Sequence, residues 1–385
     1  MHNRTEQFLN DPVFPLLVRM SAPNTIAFFI QAIVVLAEVW FISKLGTTSL
    51  AAVALAFPVI MLTQQMAFGA LGGAVTSSIA RSLGAEDKQR AEKLLWHSLL
   101  LSCCGYLLFF LIFFIGGESL LMALGGEGSL LEESLLYIKI FLTGAIFIWL
   151  SGMLSAALRG IGNMRFPALL MIAGSGIQVI LAGGLILGWF GFPKLGIIGA
   201  PLSAISVAAL MAIVMILKFM HSSSNVQLKL SNLSFKKELF GDIFNVALPA
   251  SLAPIFTVGT ILILTGLVGQ FGVSALAGYG IGSRIEFLMI PLVFGIGTAM
   301  TTMVGTNIGA KKVERAERIG WLGGSFAGLF SGMIGLILII SSSYWINFFA
   351  TDQATYEVTK QYIEIVGLCF TFQGLGLSLY FASQG

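Results

Sequence analysis

Residues Ile26 to Ile42 read IAFFIQAIVVLAEVWFI, an apolar run whose one ionisable group is Glu38. As a helix, a run of this length crosses most of the hydrocarbon of a bilayer. A carboxylate placed there costs about 3 kcal/mol or more, so it normally faces a protein interior and carries function. Gln31 lies seven residues earlier, two helical turns back on the same face, and Pro23 can kink the start of the helix. The rest of the chain reads as the housing for this acid.

Composition agrees. The 385 residues are 57% hydrophobic and 10% charged, whereas a soluble protein carries about 25% charged residues. The 45 glycines follow no collagen-like period and only 10 prolines accompany them, so small residues inside apolar stretches serve close helix packing in lipid. The chain is expected to be an all-α polytopic membrane protein. Cys103, Cys104 and Cys369 lie in apolar stretches without metal-ligand spacing and read as packing residues. The polar start MHNRTEQFLNDP lacks a cleavable signal pattern, so the first span is expected to be retained.

Taking apolar segments of about 20 residues as spans, ten are found, near 14–43, 51–79, 94–116, 132–157, 166–189, 197–219, 240–268, 275–304, 319–346 and 356–383. Basic residues gather at alternate ends. Arg4, Arg19, Arg81, Lys88, Arg90, Lys93, Arg159, Arg165, Lys218, Lys229, Lys236, Lys237, Lys311, Lys312, Arg315 and Arg318 make sixteen of the 21 on one side. Opposite them stand Glu118, Glu127, Glu132 and Asp352, with Lys44 and Lys194 nearly alone among bases. The positive-inside rule then places the N-terminus and the basic loops in the cytoplasm, in a multi-pass protein of the plasma membrane. The basic segments Arg81–Lys93 and Lys311–Arg318 read as solvated turns.

An internal repeat organises the chain. Ala22-Pro23 recurs as Leu248-Pro249, Gly46 as Gly272, and Leu50-Ala51 as Leu276-Ala277, at a spacing of 226. After a slip of one residue, Gln89-Arg90-Ala91-Glu92-Lys93 matches Glu314-Arg315-Ala316-Glu317-Arg318, and Leu83-Gly84-Ala85 matches Ile308-Gly309-Ala310. A repeat of six spans sends both halves into the membrane in the same sense, which implies a pseudo-twofold axis along the membrane normal and a cleft between two bundles. The division expected is a first six-helix lobe at 1–219, a linker at 220–238, and a second lobe at 239–385 with four helices. Ala157-Leu158-Arg159-Gly160 has its counterpart in Ala382-Ser383-Gln384-Gly385, so the first lobe's last two spans have no equivalents. Sequence reading therefore expects a missing pair of helices, or a second bundle that works with four.

Several stretches carry a family resemblance: Glu38 to Gly46, Ser82 to Ala85, Ala157 to Asn163, Gly196 to Ala200, and Ile281 to Glu286. With them the chain resembles the multidrug and toxic compound extrusion (MATE) family of cation-coupled efflux transporters. The resemblance implies two six-helix lobes around a central cavity and export of drugs in exchange for protons or sodium. It places Glu38 where the family usually has an aspartate that binds the coupling cation. The fifth span of many members carries an Asn and, four residues on, an Asp; Gln178 and Ala182 match those positions, and the loss of one carboxylate favours protons over sodium.

The other candidate residues are polar groups in apolar helices. Gln178, on a face with Ser175, can line the same site as Glu38. Gln31 in the first span, Gln64 and Gln65 in the second, and Tyr279, Arg284 and Glu286 in the eighth are candidates for the substrate cavity; Arg284 and Glu286, two residues apart, point in different directions on one helix. No phosphate-cradling G-x-x-x-x-G-K-[ST] occurs, and His2, His97 and His221 are scattered. Neither paired Asp, a Ser–Lys dyad nor a His-rich helix supports catalysis. The expected function is a monomeric, cation-coupled antiporter for amphipathic, often cationic, organic compounds, with no cofactor beyond the coupling ion and no nucleic-acid partner. The alternatives are a lipid-linked saccharide flippase and an inactive remnant.

Overall fold

In a bilayer core no water is available to backbone N–H and C=O groups, so an apolar run satisfies them internally by forming a helix. The computed structural model describes residues 4–221, 226–287, 289–347 and 352–385. His2 and positions 222–225 of the linker lie outside the described residues. After a short helix, Arg4–Asn10, ten helices are long and apolar enough to cross a membrane: α1 Val13–Ser43, α2 Thr47–Gly84, α3 Lys88–Ala123, α4 Gly128–Gly160, α5 Arg165–Leu187, α6 Gly196–Met220, α7 Lys237–Gly269, α8 Ser274–Gly309, α9 Val313–Ile340 and α10 Gln353–Gln384.

Local chemistry sets where these helices begin. The Asp87 carboxylate caps α3 by accepting from the Arg90 backbone N–H at 2.8 Å, and Asp352 caps α10 by accepting from the Thr355 N–H at 2.8 Å. Gly46 and Gly272, the repeated pair, turn the chain into α2 and α8 with φ of 127° and 102°, a conformation open to glycine at little cost. Pro23 lies inside α1, which begins at Val13 and runs through it, so its missing N–H falls within the span expected at 14–43.

The helices pack largely within two halves, α1–α6 and α7–α10, with α7 lying more on α2 than on its own half and the first turns of α1 in the core of the second. Within the first, α1 lies on α5, and α4 lies on α2, α3 and α6, with Trp149, Met153 and Leu154 of α4 fully buried. Within the second, α9 and α10 run along each other and both pack on α8. The seam is made by α1 and α2 against α8, and by α2 against α7. Contrary to expectation, the three cysteines are free and exposed on the outer surface rather than packed inside.

The expected twofold relation appears as matched contacts at an offset of 225. Thr76 Oγ1 donates to the Ala156 carbonyl at 3.0 Å, and Thr301 Oγ1 donates to the Phe381 carbonyl at 2.7 Å. Glu86 and Lys311, at the turns that follow α2 and α8, both have φ of 61°. At their last turns the two helices meet through glycine: a Cβ added to Gly84 would lie 2.0 Å from the Thr306 carbonyl oxygen, and one added to Gly309 would lie 2.0 Å from that of Arg81.

The linker is not a free tether over its described part. The Gln227 N–H and the Asn232 amide donate to buried Glu92 of α3, at 3.3 and 2.5 Å. Trp96 Nε1 donates to the Lys229 carbonyl at 3.0 Å, and the Lys236 N–H donates to His97 Nε2 at 3.0 Å. Glu92 and His97 thus hold the connection between the two halves on the side of α3, beside the exposed turn at 85–89.

Candidate functional site

Glu38 is half-buried on α1 and faces α5 and α6. Its Oε1 accepts from Gln178 Nε2 at 2.8 Å and stands 3.4 Å from Ser203 Oγ. Gln178, buried on α5, accepts in turn from Gln31 Nε2 at 3.5 Å through its Oε1, and Gln31 Oε1 accepts from Ser175 Oγ at 3.0 Å. Three helices therefore meet in one polar chain, Ser175–Gln31–Gln178–Glu38–Ser203. Each amide in it both donates and accepts, so a change at the carboxylate alters what every member is asked to supply.

Ser203 has a single hydroxyl proton, and the Ala200 carbonyl lies closer to it, at 2.7 Å. While that bond is made, Ser203 offers Glu38 a lone pair, which suits a protonated acid or a bound cation. Among the described residues no donor reaches Glu38 Oε2, which leaves one carboxylate oxygen for a proton or an ion. Ala182, one turn beyond Gln178, is fully buried and supplies no ligand.

The sequence brought Glu38, Gln31, Gln178 and Ser175 under suspicion, and the structure gathers all four. It adds Ser203, which the sequence hid among small residues of α6. The remaining candidates lie elsewhere. Gln64 is exposed and Gln65 half-buried, just ahead of a π-helical turn at Met66–Leu71; neither makes a side-chain hydrogen bond among the described residues.

In the second bundle, Glu286 accepts from Gln373 Nε2 at 2.9 Å and from the Tyr362 hydroxyl, both on α10. The Tyr279 and Tyr362 rings meet edge to face, with centroids 5.6 Å apart. Arg284 does not pair with Glu286, as their spacing implied. It is exposed, not deep among protein atoms, and borders an open hollow of about 420 Å³ with Leu276, Ala277, Gly280 and Ile281. Tyr362 and Gln373 were not visible as site residues in the sequence because nothing local joins them to Glu286.

Comparison with known proteins now places the chain. The MatE family matches residues 23–183 and 249–385, two stretches that start 226 residues apart, and the chain belongs to that family. It is a multi-pass membrane transporter of small molecules, not an enzyme. Among its relatives, the FAD transporter of Shewanella oneidensis is 26% identical, over 97% of this chain and 82% of that one. The probable multidrug resistance protein NorM of Thermotoga maritima is 24% identical, over 96% and 79%, and the multidrug export protein MepA of Staphylococcus aureus is 26% identical, over 96% and 81%.

Solved structures agree on the fold. An outward-facing multidrug resistance MATE transporter of the MOP superfamily superposes with a TM-score of 0.88 at 25% identity, over 99% of this chain and 85% of that one. A MOP superfamily transporter from Pyrococcus furiosus, described as having a binding pocket of reversed polarity, gives a TM-score of 0.89 at 25% identity, over 100% and 85%. These matches run over nearly all of this chain and over 79–85% of the matched chains. In the four helices of the second half, α8, α9 and α10 already pack closely on one another.

Proposed function

We propose that this transporter is a secondary antiporter that exports amphipathic, often cationic, organic compounds in exchange for protons or sodium. The observation that carries the reading is Glu38, a carboxyl inside a membrane helix held, among the described residues, on one oxygen only, at the meeting of α1, α5 and α6. Arrival of a cation at the open oxygen cancels the charge and removes the need for the Gln178 donor. Gln178 and Gln31 then re-pair, and α1 shifts against α5. Because α1 also packs on α8, the shift reaches the seam between the lobes, where it lowers cargo affinity in the state open to the outside.

In this reading residues 1–219 and 239–385 are the moving lobes, and the protein acts as a monomer in the plasma membrane. The N-terminus and the basic loops face the cytoplasm, so the glycine crossing of α2 and α8 closes the cytoplasmic side. Glu286, bonded to the Tyr362 hydroxyl whose ring meets that of Tyr279, offers a carboxylate close to aromatic rings, a combination that suits organic ammonium groups. The names of the NorM and MepA relatives agree with such cargo. Arg284, exposed and without an ion-pair partner among the described residues, favours a second reading in which the cargo carries phosphate, as the FAD transporter relative does by name.

Ethidium efflux from pump-deficient cells tests the proposal, with a protonophore in one arm and sodium withdrawn in the other. Efflux that fails in one arm names the coupling ion. Efflux that persists in both, or none from a well-inserted chain, overturns the reading, and uptake of flavin dinucleotide into vesicles would move it to the second. Gln178→Ala removes a hydrogen bond to a charged group worth about 1.5 kcal/mol, and is expected to slow coupled efflux about tenfold. Parental rates with unchanged ion dependence would make Gln178 a packing residue.

A further inference from the structure

In the two basic segments that the sequence repeats most closely the turns are exposed, but one arginine of each is engaged. Arg90, on α3 of the first bundle, reaches across the seam to the first turns of α7: its Nη2 bonds the Asp242 carboxylate and its Nη1 stands 3.6 Å from Glu238. Its repeat partner Arg315, on α9 of the second bundle, reaches to the segment that leads into α1. Arg315 Nε donates to the Phe8 carbonyl at 3.3 Å and Nη2 donates to the Asp11 carbonyl. Lys312 adds a bond to the Leu9 carbonyl at 3.1 Å. Arg90 ends on α7, the leading helix of the other half, and Arg315 on the segment that precedes α1, and between them lies the Gly84–Gly309 crossing, where backbones touch.

We infer that Arg90 and Arg315 form a symmetric pair of latches that hold the two bundles together at the end of the molecule carrying the N-terminus, and that this end opens only when both release. The chemistry fits a reversible closure. A guanidinium presents several N–H donors in a fixed fork and keeps its charge in every state. The Arg90 and Asp242 side chains are 36% and 32% exposed, so water can replace each partner when the contact parts. One latch ends on the segment preceding α1, the helix that bears Glu38, and so couples this end of the molecule to that helix. The two are alike in place but not in partner, since Arg90 ends on carboxylates and Arg315 on main-chain carbonyls. Only the Arg90 latch can therefore be reversed by exchanging charges. This inference depends neither on the cargo nor on the coupling ion.

The test uses the full chain in lipid nanodiscs, with Cys103, Cys104 and Cys369 replaced by Ser and a reporter placed by Thr306→Cys. Thr306 is 2% exposed, behind Gly84. Its rate of reaction with a charged maleimide reads how often this end opens. Arg90→Asp and Arg315→Ala are each expected to speed labelling at least threefold, and their fold-changes should multiply when combined, because both restrain one opening. Asp242→Arg added to Arg90→Asp should return the rate to the parental value. Parental labelling in the combined variant, or a charge exchange that restores nothing, would overturn the inference. Ser98→Cys, at a fully buried position inside the first bundle, reports loss of fold. If the combined variant fails that control, the charge exchange alone decides.

Discussion

Glu38→Gln is expected to abolish ion-coupled efflux while leaving membrane insertion intact. The amide matches the carboxyl in shape and can still meet Gln178 and Ser203, which reach Glu38 at 2.8 and 3.4 Å. What it loses is the ability to take up and release a proton, and the charge that would attract a metal cation. A membrane-embedded charge is worth about 3 kcal/mol, which corresponds to a rate loss of about a hundredfold. Initial rates of ethidium efflux, normalised to protein in the membrane, measure the effect. Glu38→Asp shortens the reach to Gln178 by one methylene, and is expected to keep ion dependence at a reduced rate. Efflux by Glu38→Gln at the parental rate would remove Glu38 from the mechanism.

The second large effect is expected at the helix crossing. At Gly84 and Gly309 an added Cβ would stand 2.0 Å from a backbone oxygen of the opposite helix. Backbone cannot swing aside as a flexible side chain can, so α2 and α8 would have to separate by about 1 Å to restore van der Waals distance. Overpacking of this kind costs about 1–3 kcal/mol per site. Gly84→Ala and Gly309→Ala should each lower the midpoint of thermal unfolding in detergent, and the double variant should lower it further. Gly116→Ala is the control, because a Cβ there meets nothing within 4 Å. Equal midpoints for Gly84→Ala and Gly116→Ala would mean that the helices do not touch at the seam.

Much of the fold was legible because its cause is local. Apolar runs such as Ile26–Ile42 must become helices in lipid wherever the rest of the chain lies. Ten apolar segments were visible, and ten helices suited to crossing a membrane are found among the described residues. The boundaries were less legible. Helix α3 runs from Lys88 to Ala123, well past the apolar run at 94–116, because its polar first turns bind the linker and α7 rather than lipid. Glu38, Gln31, Gln178 and Ser175 stood out as polar groups in apolar surroundings, a property of sequence windows.

What the sequence by itself determined is therefore the set of helices, their repetition at an offset of about 225, and which polar groups sit where lipid would reject them. Tertiary structure alone decided which of these groups meet. Ser203 is 165 residues from Glu38, and Gln373 is 87 from Glu286. Asp242 is 152 residues from Arg90. Hydropathy acts on each segment separately, whereas a hydrogen bond or ion pair needs two side chains within about 3 Å. That distance is set by how the helices pack, and no local pattern contains it.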